Sequence, residues 1–278
     1  MKVLILGGTG LLGKSLVREW HGDDVRAMGS RDVDIRDMAK VQEVVGEVRP
    51  DWIVLAAAYT DVDGCESNPD LALAVNRDGA ANVALAAKQI RAKLIFLSSD
   101  YVFDGRKTTP YEIDDRRNPQ GMYGKSKAQA ELKLLDMLSE CCIARTSWVF
   151  GTDGKCFPDT ILRLTANRPA LDVVNDQRGC PTYTVDLARA IMQLCRKNAS
   201  GIVHVTNAGD CTWFEFAREI IARSGLTNEV RPVSSQQMAR PAPRPAYSVL
   251  SATSLHRYGI EMPGWKDALK RYLEERKS

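Results

Sequence analysis

Short apolar runs alternate with longer stretches of helical periodicity over the first half of the chain. The runs are typical of strands buried on both faces, and the stretches between them place apolar residues on one helix face. The predicted strands are residues 3–6, 24–28, 52–58, 93–97 and 143–146. The predicted helices are residues 14–20, 38–48, 72–87 and 122–138. This alternation predicts an α/β fold with a Rossmann-type, doubly wound parallel sheet and right-handed crossovers.

The second half of the chain has a less regular pattern. Its predicted helices are residues 156–167, 185–197, 213–224 and 264–276, and its short strands are residues 171–174 and 202–205. We predict a dinucleotide-binding domain from residues 1–150 and about 175–200. Residues 151–174 and 201–278 are predicted to form a smaller, mixed C-terminal subdomain that binds the substrate. A cleft for the substrate would lie between this subdomain and the carboxyl edge of the sheet.

Glycines recur every third residue directly after the first predicted strand, at Gly7, Gly10 and Gly13. Glycines there let the backbone turn tightly, approach a pyrophosphate and pack the helix against the strand. The free N–H groups of the helix N-terminus can then hold the phosphates. A glycine-rich turn can be no more than a turn, and the spacing differs from G-x-G-x-x-G. Its position between a strand and a helix favours dinucleotide binding.

Arg31 follows the second predicted strand, where dinucleotide folds contact the ribose of the cofactor. An acid at this place takes the 2′-hydroxyl of NAD, whereas an arginine accommodates the 2′-phosphate of NADP. An exposed loop arginine is an equal alternative. Asp34 and Ile35 would border the adenine, and the small residues Ala56 to Ala58 would let the cofactor pass closely. The predicted cofactor is therefore NADPH, with NADH as the alternative.

Tyr123 and Lys127 are four residues apart in a predicted helix, so both side chains lie on one face. A lysine ammonium near a phenol lowers the phenol pKa from about 10, and such a tyrosine can exchange a proton with a carbonyl oxygen. Ser99 ends the fourth predicted strand and would hold the same oxygen. Taken alone, the pair also fits an exposed helix with a solvated lysine. The predicted catalytic residues are Ser99, Tyr123 and Lys127.

Composition excludes several classes of function without identifying one. The 278 residues are 44% hydrophobic and 26% charged, with a net charge of +3, which does not favour nucleic acid or membrane partners. No apolar run approaches the ~20 residues of a membrane span, and the N-terminus has no signal-peptide pattern. Seven cysteines without a C-x-x-C pair give no metal or redox pattern. These features favour a cytoplasmic protein.

The motifs together resemble the extended short-chain dehydrogenase/reductase superfamily, through the glycine turn at 7–13, Ser98 and Ser99, and Tyr123 with Lys127. Within it, the chain more closely resembles the dTDP-4-dehydrorhamnose reductase family. The motifs that carry this closer resemblance lie at residues 56–63, 99–105, 123–127, 145–151, 175–182 and 244–250. The resemblance extends from residue 1 to about residue 275.

The resemblance implies hydride transfer from NAD(P)H to C4 of dTDP-4-dehydro-L-rhamnose, giving dTDP-L-rhamnose. Tyr123 would donate the proton, Lys127 would hold the nicotinamide ribose, and Ser99 would bind the C4 oxygen. The implied sugar-binding residues are Ser99, Asp100, Tyr101 and Trp148. The predicted cofactor-binding residues are Gly7, Gly10, Leu11, Leu12, Gly13, Arg31, Asp34, Ile35, Ala56, Ala57, Ala58, Tyr59, Tyr123 and Lys127. The chain would be a monomer or a homodimer.

Two departures and two alternatives accompany this interpretation. Arg178 and Cys180 stand where the family usually has glycine and alanine. Lys14 and Ser15 stand where some members have an acid that binds a bridging metal, so no metal site is predicted. One alternative is a reductase or epimerase acting on another nucleotide sugar. The other is a non-catalytic regulatory subunit similar to the methionine adenosyltransferase beta subunit. His204 is predicted to be a core histidine.

Overall fold

The computed structural model describes residues 1–277. Its strands, in chain order, are Lys2–Leu6 (β1), Asp24–Met28 (β2), Trp52–Leu55 (β3), Lys93–Ser99 (β4), Cys141–Thr146 (β5), Val149–Phe150 (β6), Ala170–Val174 (β7), Arg178–Gly179 (β8), Thr182–Tyr183 (β9), Gly201–His204 (β10), Cys211–Thr212 (β11) and Glu229–Val233 (β12). Its α-helices are Leu11–Glu19 (α1), Met38–Val48 (α2), Val62–Ser67 (α3), Pro69–Leu73 (α4), Ala80–Ile90 (α5), Met122–Met137 (α6), Phe157–Thr165 (α7), Thr184–Arg196 (α8), Trp213–Arg223 (α9), Thr253–His256 (α10) and Trp265–Glu275 (α11).

The central sheet has six strands in the order β2-β1-β3-β4-β5-β10, and every neighbouring pair is parallel. The chain runs outward from β1 to β2 and then crosses back to β3. The connections therefore leave in opposite directions beside β1, which creates the crevice where open α/β sheets bind ligands. The predicted Rossmann-type, doubly wound sheet is confirmed.

Alternate residues of the inner strands supply two separate cores, because successive side chains point to opposite faces of a sheet. Leu4 of β1 joins a core with α2, α5 and α6 on one face. Val3 and Ile5 join a second core with α1, α8 and α10 on the other face. Helix α2 begins at a side-chain cap, because the side chain of Asp37 accepts the N–H of Lys40.

The C-terminal part has its own aromatic core between the pair β7–β12 and helices α7, α9 and α11. Phe150 and Phe216 are fully buried at its centre, with Tyr272 packed edge-on against Phe150. The short pairs β6–β9 and β8–β11 connect this core to the central sheet. The predicted mixed substructure is therefore present, and its residues come from both sides of α8.

Several predicted boundaries differ from the structure. The strand predicted at 52–58 ends at Leu55, because the N–H groups of Ala56 and Ala57 both turn to the carbonyl of Leu6. The helix predicted at 72–87 is α4, a π-helical turn at Ala74–Gly79, and α5. The exposed β12 was not predicted, because it has no alternating apolar pattern.

The division into domains stays a prediction, except at β10. Residues Gly201–His204 pair with β5 and so extend the central sheet, although we predicted 201–278 for the substrate subdomain. Strand β10 joins the sheet through backbone hydrogen bonds to β5, which is distant in sequence, so no local pattern predicts this pairing. Within residues 1–277, no helix is both long and apolar enough to cross a membrane.

Candidate active site

The glycine turn joins β1 to α1 and forms an open cradle. Gly7 has φ +96°, and a Cβ on it would lie 2.5 Å from the backbone nitrogen of Ala57. A Cβ on Gly13 would overlap the carbonyl oxygen of Gly7. At Gly10 a Cβ would lie 3.3 Å from the carbonyl oxygen of Gly7, which is a tight contact. The turn therefore fits a pyrophosphate held at the N-terminus of α1.

The ribose side of the cradle holds Arg31, which is exposed and has no ion pair among residues 1–277. The nearby carboxylates are already engaged: Asp32 accepts the N–H of Gly29 at 2.8 Å, and Asp34 pairs with Arg36 at 2.5 Å. A free guanidinium beside occupied acids suits a 2′-phosphate. Ile35 is 4% exposed and packs in the core, so its contact with the adenine stays a prediction.

The loop after β3 is tied to α6 through one buried amide. Asn76, in the π-helical turn, accepts the N–H of Tyr59 at 2.8 Å. Its Nδ2 donates to the carbonyl of Tyr59 at 3.0 Å and to Ser126 Oγ at 2.9 Å. A π-bulge is frequent at functional sites, and here it aims the amide at the loop. From the sequence, Asn76 could be placed only near the start of a predicted helix, and its contacts with the loop could not be predicted.

Ser99 ends β4, and Tyr123 and Lys127 lie one turn apart on α6. The structure thus brings together the three predicted catalytic residues at the carboxyl edge of the sheet. Burial raises the pKa of Tyr123, while the Ser99 hydroxyl beside it lowers that pKa. The Ser99 hydroxyl also donates to Asp100 Oδ1 at 2.8 Å.

Lys127 does not act on Tyr123 as the sequence predicted. We expected its ammonium to lower the phenol pKa, but the pKa of Tyr123 is raised. The lysine is 2% exposed, and its Nζ lies 4.0 Å from the centroid of the Phe96 ring. Burial lowers the pKa of Lys127 itself to about 7, while the charge of Glu131 raises it. Tertiary burial therefore outweighs the helical proximity of the two side chains.

A buried ion-pair network supports α6 beneath the lysine. Glu131 accepts from Ser98 at 2.5 Å, from Arg117 at 2.5 Å, and from Arg145 at 2.9 and 2.7 Å. Burial raises the pKa of Glu131, but its hydrogen bonds and the arginine charges lower it overall. His204 is 1% exposed, lies 3.4 Å from Arg145, and has a pKa lowered to about 3, first by burial. His204 is buried in the core as predicted, although we expected its hydrogen bonds to be satisfied and its Nδ1 has no partner among the described residues.

Trp148 follows β5 in a left-handed conformation, with φ +46°. Its ring stacks on Trp213 with centroids 3.4 Å apart and planes 5° from parallel. Gly179 lies beneath it, and a Cβ there would be 2.6 Å from the indole. Phe157 lies 4.5 Å from the Trp213 ring centroid. Sequence reasoning missed Trp213 and Phe157, because no motif links aromatic residues so far apart.

A cleft of about 730 Å³ opens beside these aromatic rings. Tyr101 lines it and also contacts Tyr123 edge-on, with ring centroids 5.5 Å apart, so the cleft is adjacent to the catalytic residues. Arg244 and Arg240 line its other wall and lie 3.1 and 4.0 Å from Asp63. The cleft thus combines an aromatic wall, suited to a flat base, with guanidinium groups, suited to phosphate oxygens.

The residues that depart from the family pattern have structural partners. Arg178 pairs with Asp210 at 2.5 Å and Glu215 at 3.1 Å, and Cys180 is 2% exposed. Ser15 is buried and bonds to Thr184, and Lys14 Nζ donates to the carbonyl of Asp153 at 3.4 Å. Over residues 1–277, no three His, Cys, Asp or Glu side chains are grouped in a way that could hold a metal ion.

Comparison with known proteins agrees with this geometry. A family model described as "RmlD substrate binding domain" matches residues 1–278. The spore coat polysaccharide biosynthesis protein SpsK of Bacillus subtilis (strain 168) is 41% identical, covering 100% of this chain and 98% of SpsK. The dTDP-4-dehydrorhamnose reductase of Mycobacterium tuberculosis (strain CDC 1551 / Oshkosh) is 39% identical, covering 96% of this chain and 91% of that protein. A crystal structure of dTDP-4-dehydrorhamnose reductase (rfbD) from Bacillus anthracis str. Ames, in complex with NADP, has a TM-score of 0.96 at 38% identity and covers 99% of this chain and 100% of that one.

Proposed function

The chain belongs to the RmlD substrate binding domain family, and from that premise we propose its reaction. It reduces the C4 ketone of dTDP-4-dehydro-L-rhamnose to dTDP-L-rhamnose, using NADPH or, in its place, NADH. The observation that carries the proposal is that Tyr101 lines a cleft with aromatic and arginine side chains and also contacts the ring of Tyr123. A substrate that fits both features carries a ketone, for Ser99 and Tyr123, and a nucleoside diphosphate, for the cleft.

The cofactor site is proposed from the cradle around the glycine turn. The N-terminus of α1 at Gly10 would hold the pyrophosphate, and Arg31 would hold the 2′-phosphate. Ala57 packs against Gly7 and forms the floor of the crevice. Lys127 would hold the nicotinamide ribose. When bound, the reduced nicotinamide supplies the hydride.

The protonation step belongs to the side chains of α6 and β4. Ser99 binds the C4 oxygen and fixes its position beside Tyr123. Tyr123 donates its phenolic proton to that oxygen as the alcohol forms. The raised pKa of Tyr123 keeps the phenol protonated at neutral pH, which is the form that an acid catalyst requires. Lys127, which is 2% exposed and lies one turn further along α6, completes the proposed site.

The cleft is proposed to bind the nucleotide. Trp213 and Phe157 offer ring faces to the base, and Trp213 is held flat by its stack on Trp148. Arg244 and Arg240 would bind the diphosphate, exchanging their contacts with Asp63 for phosphate oxygens. The sugar would then lie between Tyr101 and Trp148, with its ketone towards Tyr123.

A turnover assay tests the function. Purified protein is incubated with dTDP-4-dehydro-L-rhamnose and either NADPH or NADH, and cofactor oxidation is followed at the nicotinamide absorbance band. We expect stoichiometric formation of dTDP-L-rhamnose, with the C4 configuration read from proton NMR coupling constants. A C4 epimer as product would point to another nucleotide-sugar reductase. Cofactor binding without turnover would point to the regulatory-subunit alternative.

The cellular setting follows from the same proposal. The seven cysteines are all unpaired and buried, which suits a reducing compartment. We therefore propose a cytoplasmic enzyme that acts as a monomer or homodimer, with the dTDP-sugar as its partner and neither nucleic acid nor membrane involved. Size-exclusion chromatography with light scattering on the full chain would decide between the two oligomeric states.

A further inference from the structure

Ser99 has one hydroxyl proton, and the structure assigns it to Asp100. Ser99 Oγ donates to Asp100 Oδ1 at 2.8 Å and accepts the backbone N–H of Tyr101 at 3.2 Å. A hydroxyl offers one donor and two acceptor lone pairs. While Asp100 is ionised, Ser99 can present only its remaining lone pair to a ketone oxygen. The serine is then unable to donate the hydrogen bond that the reaction needs.

We propose that Asp100 is a positioning residue whose carboxyl must carry a proton for Ser99 to donate to the C4 oxygen. A protonated Asp100 donates to Ser99 Oγ and frees the serine proton for the substrate. Ser99 then accepts from Asp100 and from the Tyr101 N–H, and its own proton is free for the substrate oxygen. The proton of Asp100 stays on Asp100, so no covalent step is added. This inference rests on the proposed function, because it concerns the oxygen which that function reduces.

The surroundings of Asp100 favour the protonated form. The side chain is 1% exposed, and its Oδ2 has no hydrogen-bond partner among the described residues. A buried carboxylate with an unpartnered oxygen is costly, and protonation removes that cost. Burial raises the pKa of Asp100 to about 6, while the neighbouring hydroxyls of Ser248 and Ser99 lower it. Both protonation states are therefore accessible near neutral pH.

The other titratable groups around Asp100 come from three segments. Tyr123 faces it from α6, Tyr101 follows it in the chain, and Cys180 faces it from the β8–β9 connection. Burial raises the pKa of all three, which keeps them neutral between about pH 5 and pH 8. On α6, Lys127 has a pKa lowered to about 7 and is the group whose titration could be confused with that of Asp100.

The remaining charges lie on the cleft wall. Arg240 and Arg244 act on Tyr101 and lower its pKa, and both are paired with Asp63. A bound nucleotide sugar would bring diphosphate charge to this wall and exclude water from the site. Both effects raise the pKa of a neighbouring carboxyl. The alkaline decline of kcat, which reports the complex, should therefore begin at a higher pH than that of kcat/KM, which reports the free enzyme.

The experiment combines carbon-13 carboxyl NMR of the free full-length chain with pH profiles of kcat and kcat/KM. In the wild-type protein we expect Asp100 to titrate near pH 6 and kcat/KM to fall about tenfold per pH unit above it. Ser248→Ala removes a hydroxyl that lowers the pKa of Asp100, so the NMR titration of Asp100 and the decline of kcat/KM should both move to higher pH. Asp100→Asn should abolish the decline of kcat/KM above pH 6, whatever the absolute turnover rate of that variant. The control Asp114→Asn removes an exposed carboxylate and keeps the wild-type profile.

Three results would overturn the inference. If kcat/KM still declines with rising pH in Asp100→Asn, then the decline reports the titration of Lys127 or Tyr123 and not that of Asp100. A decline that stays in place in Ser248→Ala, while the NMR titration moves, separates Asp100 from catalysis. Ser99→Ala should raise the NMR titration of Asp100, and an unmoved titration refutes the coupling whatever the turnover. A wild-type chain that shows the coupling by NMR but reduces no dTDP-sugar at any pH refutes the proposed function instead.

Discussion

The carboxyl edge of the central sheet and the cleft of the C-terminal part are built in different ways. At the edge, each functional group lies in a short local motif: the turn at 7–13, Ser99 at the end of β4, and the pair Tyr123 and Lys127 on α6. The cleft takes single side chains from segments more than a hundred residues apart, such as Tyr101 and Trp213. The proposed chemistry thus rests on short local motifs, whereas the proposed recognition surface takes side chains from distant parts of the chain.

The electrostatics of the two regions differ in the same way. Lys127 and Glu131 at the edge are almost fully buried, and Glu131 is bound by two arginines and a serine. In the cleft, Arg244 is 15% and Arg240 56% exposed, and both share the carboxylate of Asp63. Solvent screens exposed pairs strongly. We therefore expect a larger effect from changes among the buried groups at the edge than from changes in the cleft. Loss of the proposed proton donor Tyr123 should act on kcat, and changes in the cleft, which would bind the nucleotide, should act on KM.

The largest expected effect is at the edge. Tyr123→Phe removes the proton donor, and kcat should fall by roughly 10²–10⁴-fold, the usual contribution of a positioned acid. The dissociation constant for NADPH, measured by fluorescence titration, should stay nearly constant. Tyr258→Phe is a matched control, because its hydroxyl bonds to Ser200 far from the site. Near-normal turnover of Tyr123→Phe would remove the basis of the proposed mechanism.

The next effect tests the cleft. Arg244→Ala removes a partly buried guanidinium, and KM for the dTDP-sugar should rise by about tenfold, in line with a charged hydrogen bond of ~1.5 kcal/mol. The value of kcat should change little. Arg240→Ala, on the more exposed side chain, should raise KM less. Steady-state kinetics for both variants decide the matter, and equal losses in kcat and kcat/KM would contradict the division between edge and cleft.

A smaller effect is expected at the ribose end of the edge. Arg31→Ala should weaken NADPH binding by roughly two- to fivefold and leave NADH binding unchanged, because Arg31 is exposed and solvent screens its contact with phosphate. Dissociation constants for both cofactors provide the measurement. Arg26→Ala, an exposed arginine within β2, is the control for a general loss of positive charge. An equal loss for both cofactors would show that Arg31 is only a surface residue.

The smallest expected effect is none at all. Metal removal with a chelator should leave kcat unchanged, since Lys14 and Ser15 occupy the place of the acid that binds metal in some family members. Magnesium takes carboxylate oxygens as ligands, and a lysine ammonium beside them would repel it. Activity in buffer with chelator, before and after added magnesium, provides the measurement. Loss with chelator and recovery with magnesium would show a site that we have not identified.

Much of the fold could be predicted because its signals are local. The strand at 24–28 and the helix at 38–48 have the predicted bounds. The helix lies between its caps, Asp37 and Arg49, and Gly29 follows the strand. The family assignment from the motifs is confirmed by the family match and the full-length relatives. The roles of the individual site residues stay predictions. The structure brings Ser99, Tyr123 and Lys127 to one edge, and places Trp148 against Trp213 on the cleft side.

The sequence by itself indicated the parallel sheet and the glycine turn, and it predicted Ser99, Tyr123 and Lys127 as the catalytic residues, because each of these signals lies in a short local motif. Only the tertiary structure decided the electrostatic state of those residues. Burial raises the pKa of Tyr123 and lowers that of Lys127, against the effect that their helical spacing predicted. The π-helical turn around Asn76 and the Trp148–Trp213 stack were likewise fixed by packing. Desolvation and long-range contacts depend on which distant segments cover a residue, so the spacing of residues in the sequence cannot predict these pKa shifts and contacts.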